Sequence, residues 1–272
     1  MAARSDSSVA GGAVRALLLT VVCAGLLLLA GCASPAPAPT VGRSETGPTP
    51  PPPPAPPPPA SAAPGPPAAR APSMRAGDLP GLGRATRAQI PARTRQALVV
   101  TGEGRDSSRA TAILYEHEPT LGWHATTDAW QAHNALRGWT DDHRADDLRT
   151  PIGVFRLGDA GGRLPDPGTR LTYDQDEEFN MSGTGFHGEP LEGSFDHVVA
   201  IDYNRVPGTS PLDKTRPLGQ AKGGGVWIHV DHGGPTRACI SLPVERMRDL
   251  LLALDPGKEP VIVMGDAASL AR

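Results

Sequence analysis

The stretch most informative for nucleophilic chemistry is Gly223 to Pro243, which reads GGGVWIHVDHGGPTRACISLP. It contains His229, His232 and Cys239. A thiol attacks a carbonyl only as thiolate, and at an unperturbed pKa of about 8.5 little of it is ionised near neutrality. An imidazole within reach can remove that proton, which gives the cysteine–histidine pair of acyl-transfer chemistry. His229 falls in an apolar, β-like run and is expected to be held rigidly. His232 falls on a Gly-rich turn and is expected to be more mobile. Gly233-Gly234-Pro235 lets the chain fold back, bringing Cys239 toward the end of the strand, and the backbone N–H groups leading into Cys239 are placed to stabilise an oxyanion. Two other readings compete. A lone cysteine in a core is often inert. His229, Asp231, His232 and Cys239 are also zinc-ligand types, but along a continued strand His229 and His232 would face opposite sides. The sequence assigns no metal and no cofactor.

The elements that must position these residues read mostly as strands. Short β-like runs separated by turn signals appear at Gln96 to Thr101, Ala110 to Glu116, Leu121 to Ala125, Gly153 to Leu157, His197 to Tyr203, Gly225 to Val230 and Pro260 to Met264. A single helix is expected over Pro243 to Leu254. Pro243 suits the first helical position, and Val244, Met247, Leu250, Leu251 and Leu254 repeat at three and four. Asp255-Pro256-Gly257 stops it. Strands outnumbering helices imply a mainly-β sandwich or partial barrel with one C-terminal α-helix. The polar, Gly-rich interval from Gly158 to Asp196 is expected to be a loop or lid over the site. His187 within it is either an accessory substrate contact or a solvated loop residue.

Three stretches resemble one family. Arg149-Thr150-Pro151-Ile152-Gly153-Val154-Phe155, His197 to Arg205 (HVVAIDYNR), and Ile228-His229 with Thr236-Arg237-Ala238-Cys239-Ile240-Ser241 are similar to segments of the L,D-transpeptidase catalytic domain of bacterial cell-wall enzymes. The resemblance spans about Gln96 to Gly265. It implies Cys239 as nucleophile and His229 as general base and acid, with Thr236, Arg237 and Ala238 in the oxyanion or substrate-positioning places and His232 as a possible accessory. It further implies a substrate, the peptidoglycan stem peptide, and a product, a 3→3 crosslink formed through a Cys thioester. Arg237 stands where the family has histidine, and Ala238 where it has glycine. Ala238 then requires a negative φ, since a Cβ makes positive φ costly. Arg237 brings a fixed positive charge expected to lower the thiol pKa or to hold a substrate carboxylate. Three functions stay open at this point: an L,D-transpeptidase, an L,D-carboxypeptidase or other cysteine hydrolase of wall peptides, and a wall-binding domain without turnover.

The rest of the chain reads as delivery. Arg4 and Arg15 precede a 15-residue apolar run, Ala16 to Ala30, short for a membrane span and suited to a secretory signal. It closes in Leu29-Ala30-Gly31-Cys32, which resembles a bacterial lipobox with Cys32 as the lipidated residue. Residues 1–32 are therefore expected to be a signal and residues 33–92 a Pro/Ala-rich disordered linker, since 17 of the 31 prolines lie between Pro35 and Pro72. Residues 93–272 are expected to form the catalytic domain, outside the cell and tethered to the outer face of the membrane as a monomer. The net charge of −3 gives no basic face for nucleic acid. Of the three cysteines only Cys239 lies in the folded part, so no disulfide is available there.

Overall fold

The computed structural model describes residues 77–272; the expected signal, Cys32 and most of the expected linker lie outside the described residues. In chain order the strands are β1 (Gln96–Gly102), β2 (Arg109–Glu118), β3 (Gly122–Ala125), β4 (Trp130–His133), β5 (Trp139–Thr140), β6 (Thr150–Pro151) and β7 (Gly153–Arg156). They continue with β8 (Asp159–Gly162), β9 (Thr172–Gln175), β10 (Val198–Ala200), β11 (Trp227–Val230), β12 (Ile240–Leu242) and β13 (Val261–Asp266). The helices are α1 (Arg84–Arg87), α2 (Val244–Ala253) and α3 (Ala267–Leu270). Eleven strands form one sheet in the order β7-β13-β1-β2-β4-β12-β11-β10-β8-β9, with β3 paired to β2, and β5 pairs with β6. The sheet curls into a half-barrel, so the domain is mainly β, as its strand runs imply.

The central strands are apolar on both faces, and both faces are covered. Leu98 and Val100 of β1, with Ile262 and Met264 of β13, enter the main core with Met247, Leu250 and Leu251 of α2. Ala97, Val99, Val261 and Val263 alternate onto the opposite face, under Leu79, Leu82 and Leu270. Each of the Val, Leu, Ile and Met side chains among them, taken fully out of water, contributes roughly 1.5–3 kcal/mol. Leu79 and Leu82 are buried, and Gly83 and Ala85 donate backbone hydrogen bonds to Leu270 and Arg272. Residues 77–92 thus belong to the folded domain, not to the linker, because they seal an apolar sheet face that would otherwise meet water.

The helix is α2, beginning one residue after Pro243. Val244 at its start is exposed, while Met247, Leu250, Leu251 and Leu254 are fully buried. Two further one-turn helices, α1 and α3, occur where no apolar periodicity marks them. The expected strand over His197 to Tyr203 shortens to β10, because the chain leaves the sheet at Ile201. There Arg205 is buried and pairs with Asp159 at 2.8 Å and Asp202 at 2.5 Å. The interval Gly158 to Asp196 is only partly a lid. Its first half supplies β8 and β9, which end the sheet, and its second half folds over the site.

Candidate active site

The Gly-rich segment between β11 and β12 makes those strands neighbours. They run parallel, with Ile228 opposite Ile240, His229 opposite Ser241 and Val230 opposite Leu242. Cys239, one residue earlier, comes beside Trp227, whose backbone N–H donates to its Sγ at 3.4 Å. Side chains two apart on a strand share a face, so His229 and Cys239 are diagonal neighbours on one face. Such neighbours sit roughly 7–8 Å apart in the backbone. Both line one cavity of about 620 Å³. No hydrogen bond joins sulfur to ring in this state; the thiol instead points toward the Gly225 carbonyl at 3.8 Å.

The two groups are held neutral. His229 is 3% exposed, and its Nδ1–H donates to the Val230 carbonyl at 2.8 Å. That bond fixes the tautomer and leaves Nε2 as the basic nitrogen. Burial pushes the ring's pKa down to about 4. Burial likewise pushes the half-buried Cys239 thiol up to about 11, opposed only by the Trp227 N–H. The expected effect of Arg237 on the thiol is therefore corrected. Arg237 is exposed, with its guanidinium 5.8 Å from the centre of the Phe186 ring, and it does not depress the sulfur.

Thr236 acts one step from the chemistry. Its hydroxyl donates to the Cys239 carbonyl at 2.7 Å, and its backbone pairs with Asn134 and Leu136, which fixes the loop entering β12. Ala238 lies outside the set of positive-φ residues, so its Cβ causes no backbone strain. The backbone N–H groups of Arg237 and Ala238 donate to no acceptor among the described residues.

His232 departs from expectation. The strand ends at Val230, and the turn swings His232 round until its ring stacks on that of His229, with centroids 5.8 Å apart and planes 11° from parallel. The two histidines therefore share a side, and His232 is packed rather than mobile: its side chain is 6% exposed. Its Nδ1 lies 3.2 Å from Oε1 of Glu189. The Glu189 carboxylate fills a slot between two glycines. A Cβ on Gly185 would come within 2.1 Å of Oε1, and one on Gly234 within 1.9 Å. Its Oε2 accepts the His187 N–H at 2.7 Å. His187 thus contributes its amide, while its side chain is exposed and is not among the cavity-lining groups. Backbone N–H groups, its own first and then that of His187, hold Glu189 below the usual carboxylate range.

Sequence reasoning missed Glu189, which lies 43 positions before His232 with no motif linking them. It also missed a second cluster in the same row of the sheet. Asp231 accepts from Ser241 Oγ at 2.5 Å and binds His133 Nδ1 at 2.8 Å, with Gly233 N–H on its other oxygen. Among the described residues no group of three His, Cys, Asp or Glu is placed to hold a metal ion.

No protein-family model matches the chain, and no curated protein matches it significantly in sequence.

Proposed function

We propose that the domain is a cysteine acyltransferase acting on peptidoglycan stem peptides, an L,D-transpeptidase. The observation that carries this reading is the placement of one half-buried thiol, at the start of β12, and one tautomer-fixed imidazole, on the neighbouring β11, in the lining of a single cavity. With both groups neutral at rest, the proton moves as the bond forms. Sγ attacks the carbonyl at the L-centre of the third stem residue while His229 Nε2 accepts the thiol proton. The same nitrogen then donates that proton to the departing D-alanine amine. The backbone N–H groups of Arg237 and Ala238 are free to receive the oxyanion. An amine from a neighbouring stem resolves the thioester as a 3→3 crosslink, whereas water in its place gives an L,D-carboxypeptidase. The reaction requires no metal or organic cofactor. The lipobox-like Cys32 and the Pro-rich segment would tether the domain at the outer membrane face, within the wall layer.

One observation favours a second reading, a wall-binding domain without turnover: the thiol is raised to about 11 and makes no hydrogen bond to the imidazole. Incubation with a carbapenem followed by intact mass measurement decides between them. An adduct on wild type that is absent from Cys239→Ser supports the transferase. No adduct anywhere between about pH 6 and 9 supports the binding domain. Product analysis with a tetrapeptide-stem muropeptide then separates crosslinking from hydrolysis.

A further inference from the structure

Joining two peptides raises a proton problem that a thiol base does not solve. An alkyl acceptor amine is protonated near pH 7, with a pKa of about 10, and attacks only as the free base. After acylation His229 has returned the thiol proton to the leaving amine, and its Nε2 is needed again for the second tetrahedral step. A second group in the site that takes the acceptor's first proton would let the bound ammonium react without first losing that proton to solvent.

The cavity holds a second imidazole, stacked on His229 and set at ion-pair distance from a carboxylate, although the two make no hydrogen bond. His232 lines it, with Nδ1 turned away against Glu189 at 3.2 Å, which leaves Nε2 as the nitrogen available to a ligand. The carboxylate is itself fixed, clamped between Gly185 and Gly234 and tied to the His187 amide. Arg216 packs on Gly224, where a Cβ would meet its Nε at 2.2 Å, and Lys214, Asp146 and His143 line the cavity too. Arg237 lies over Phe186. Glu189 sits against the Nδ1 of His232 and outside the cavity lining, so a proton taken up by His232 would be balanced by a carboxylate at its far nitrogen.

Building on the transpeptidase reading, we propose that His232, positioned by Glu189, is the base that deprotonates the acceptor ammonium, so that the site is made for a basic amine and not for water. The ammonium gives its proton to His232 Nε2, forming an imidazolium beside the Glu189 carboxylate. The free amine attacks the thioester carbonyl; the C–N bond forms and the C–S bond breaks. The remaining ammonium proton of the tetrahedral adduct passes through His229 to the departing sulfur, and His232 releases its proton to solvent.

The test compares two acceptors at pH 7, using a tetrapeptide donor that ends in D-alanine. Ethylamine arrives as the ammonium ion, whereas hydroxylamine is already neutral. Glu189→Gln keeps the shape of the slot, and His232→Gln is the second variant should the first not fold. The expected result is a loss of roughly tenfold or more with ethylamine and a markedly smaller loss with hydroxylamine. Equal losses with both acceptors would reduce the pair to a structural role and overturn the proposal, as would no loss with either. Failure of the wild type to release D-alanine from the donor would instead overturn the transpeptidase reading on which it rests.

Discussion

His133 and His229 occupy one row of the sheet, each opposite Ser241, one on β4 and the other on β11. Their protons behave oppositely. Asp231 beside His133 raises that ring above its ordinary value, so it tends toward imidazolium. His229, on the other side of β12, has no hydrogen-bonded carboxylate; its ring is buried against His232 and bonded to a backbone carbonyl, and its pKa falls to about 4, with burial the largest cause. A carboxylate favours the charged ring, and desolvation disfavours it. The same side chain is thereby pushed toward its charged form at one position and toward its neutral form at the other.

The sharpest way to break this comparison is to exchange each ring for an amide. His229→Gln should slow acylation of Cys239 about 10²–10⁴-fold, the usual cost of losing a general base, while His133→Gln lowers the melting temperature with a far smaller effect on acylation. Rapid-quench acylation rates beside thermal melts would show it, and equal losses in both variants would remove the distinction.

A second effect is set by pH. His229 has a depressed folded pKa, so the stability it gives is fully present above its unfolded value near 6.5 and is lost as pH falls through about 4, on the order of 3 kcal/mol over that interval. His133 has a raised pKa and works the other way: its contribution is complete below about 6.5 and is lost as pH rises through its folded value. Acid denaturation of His229→Gln should therefore begin at lower pH than that of wild type. Acylation by wild type should persist down to about pH 5 and fall as His229 takes up its proton near 4.

The smallest expected effect comes from the carboxylate between them. Asp231→Asn weakens the bonds to His133 and Ser241 and should cost roughly 1–3 kcal/mol in urea unfolding. An NMR titration of His133 should move down toward the ordinary histidine value. If it does not move, the carboxylate is not what charges that ring.

The central strands were legible because β1 and β13 are continuous apolar runs that only a sheet covered on both faces can bury. The helix α2 was legible from its periodicity. β5, β6 and β8 were not: Trp139–Thr140 and Thr150–Pro151 are two residues long, and Asp159–Gly162 reads DAGG, so no apolar alternation marks them. The segment Leu79 to Leu82 was hidden by the prolines before it, since its role depends on a sheet face assembled from residues far along the chain.

The site divides in the same way. The local sequence around Cys239 determined the candidate nucleophile, a histidine on the same face and the turn that brings them together, because spacing along one strand–turn–strand unit fixes which side chains share a face. Tertiary structure alone decided that His232 stacks on His229, that Glu189 reaches it through a gap left by two glycines, and that the pKa values of His229 and His133 shift in opposite directions. Those outcomes depend on burial and on partners tens of residues away, and pairing rules within a single strand unit carry no information about either.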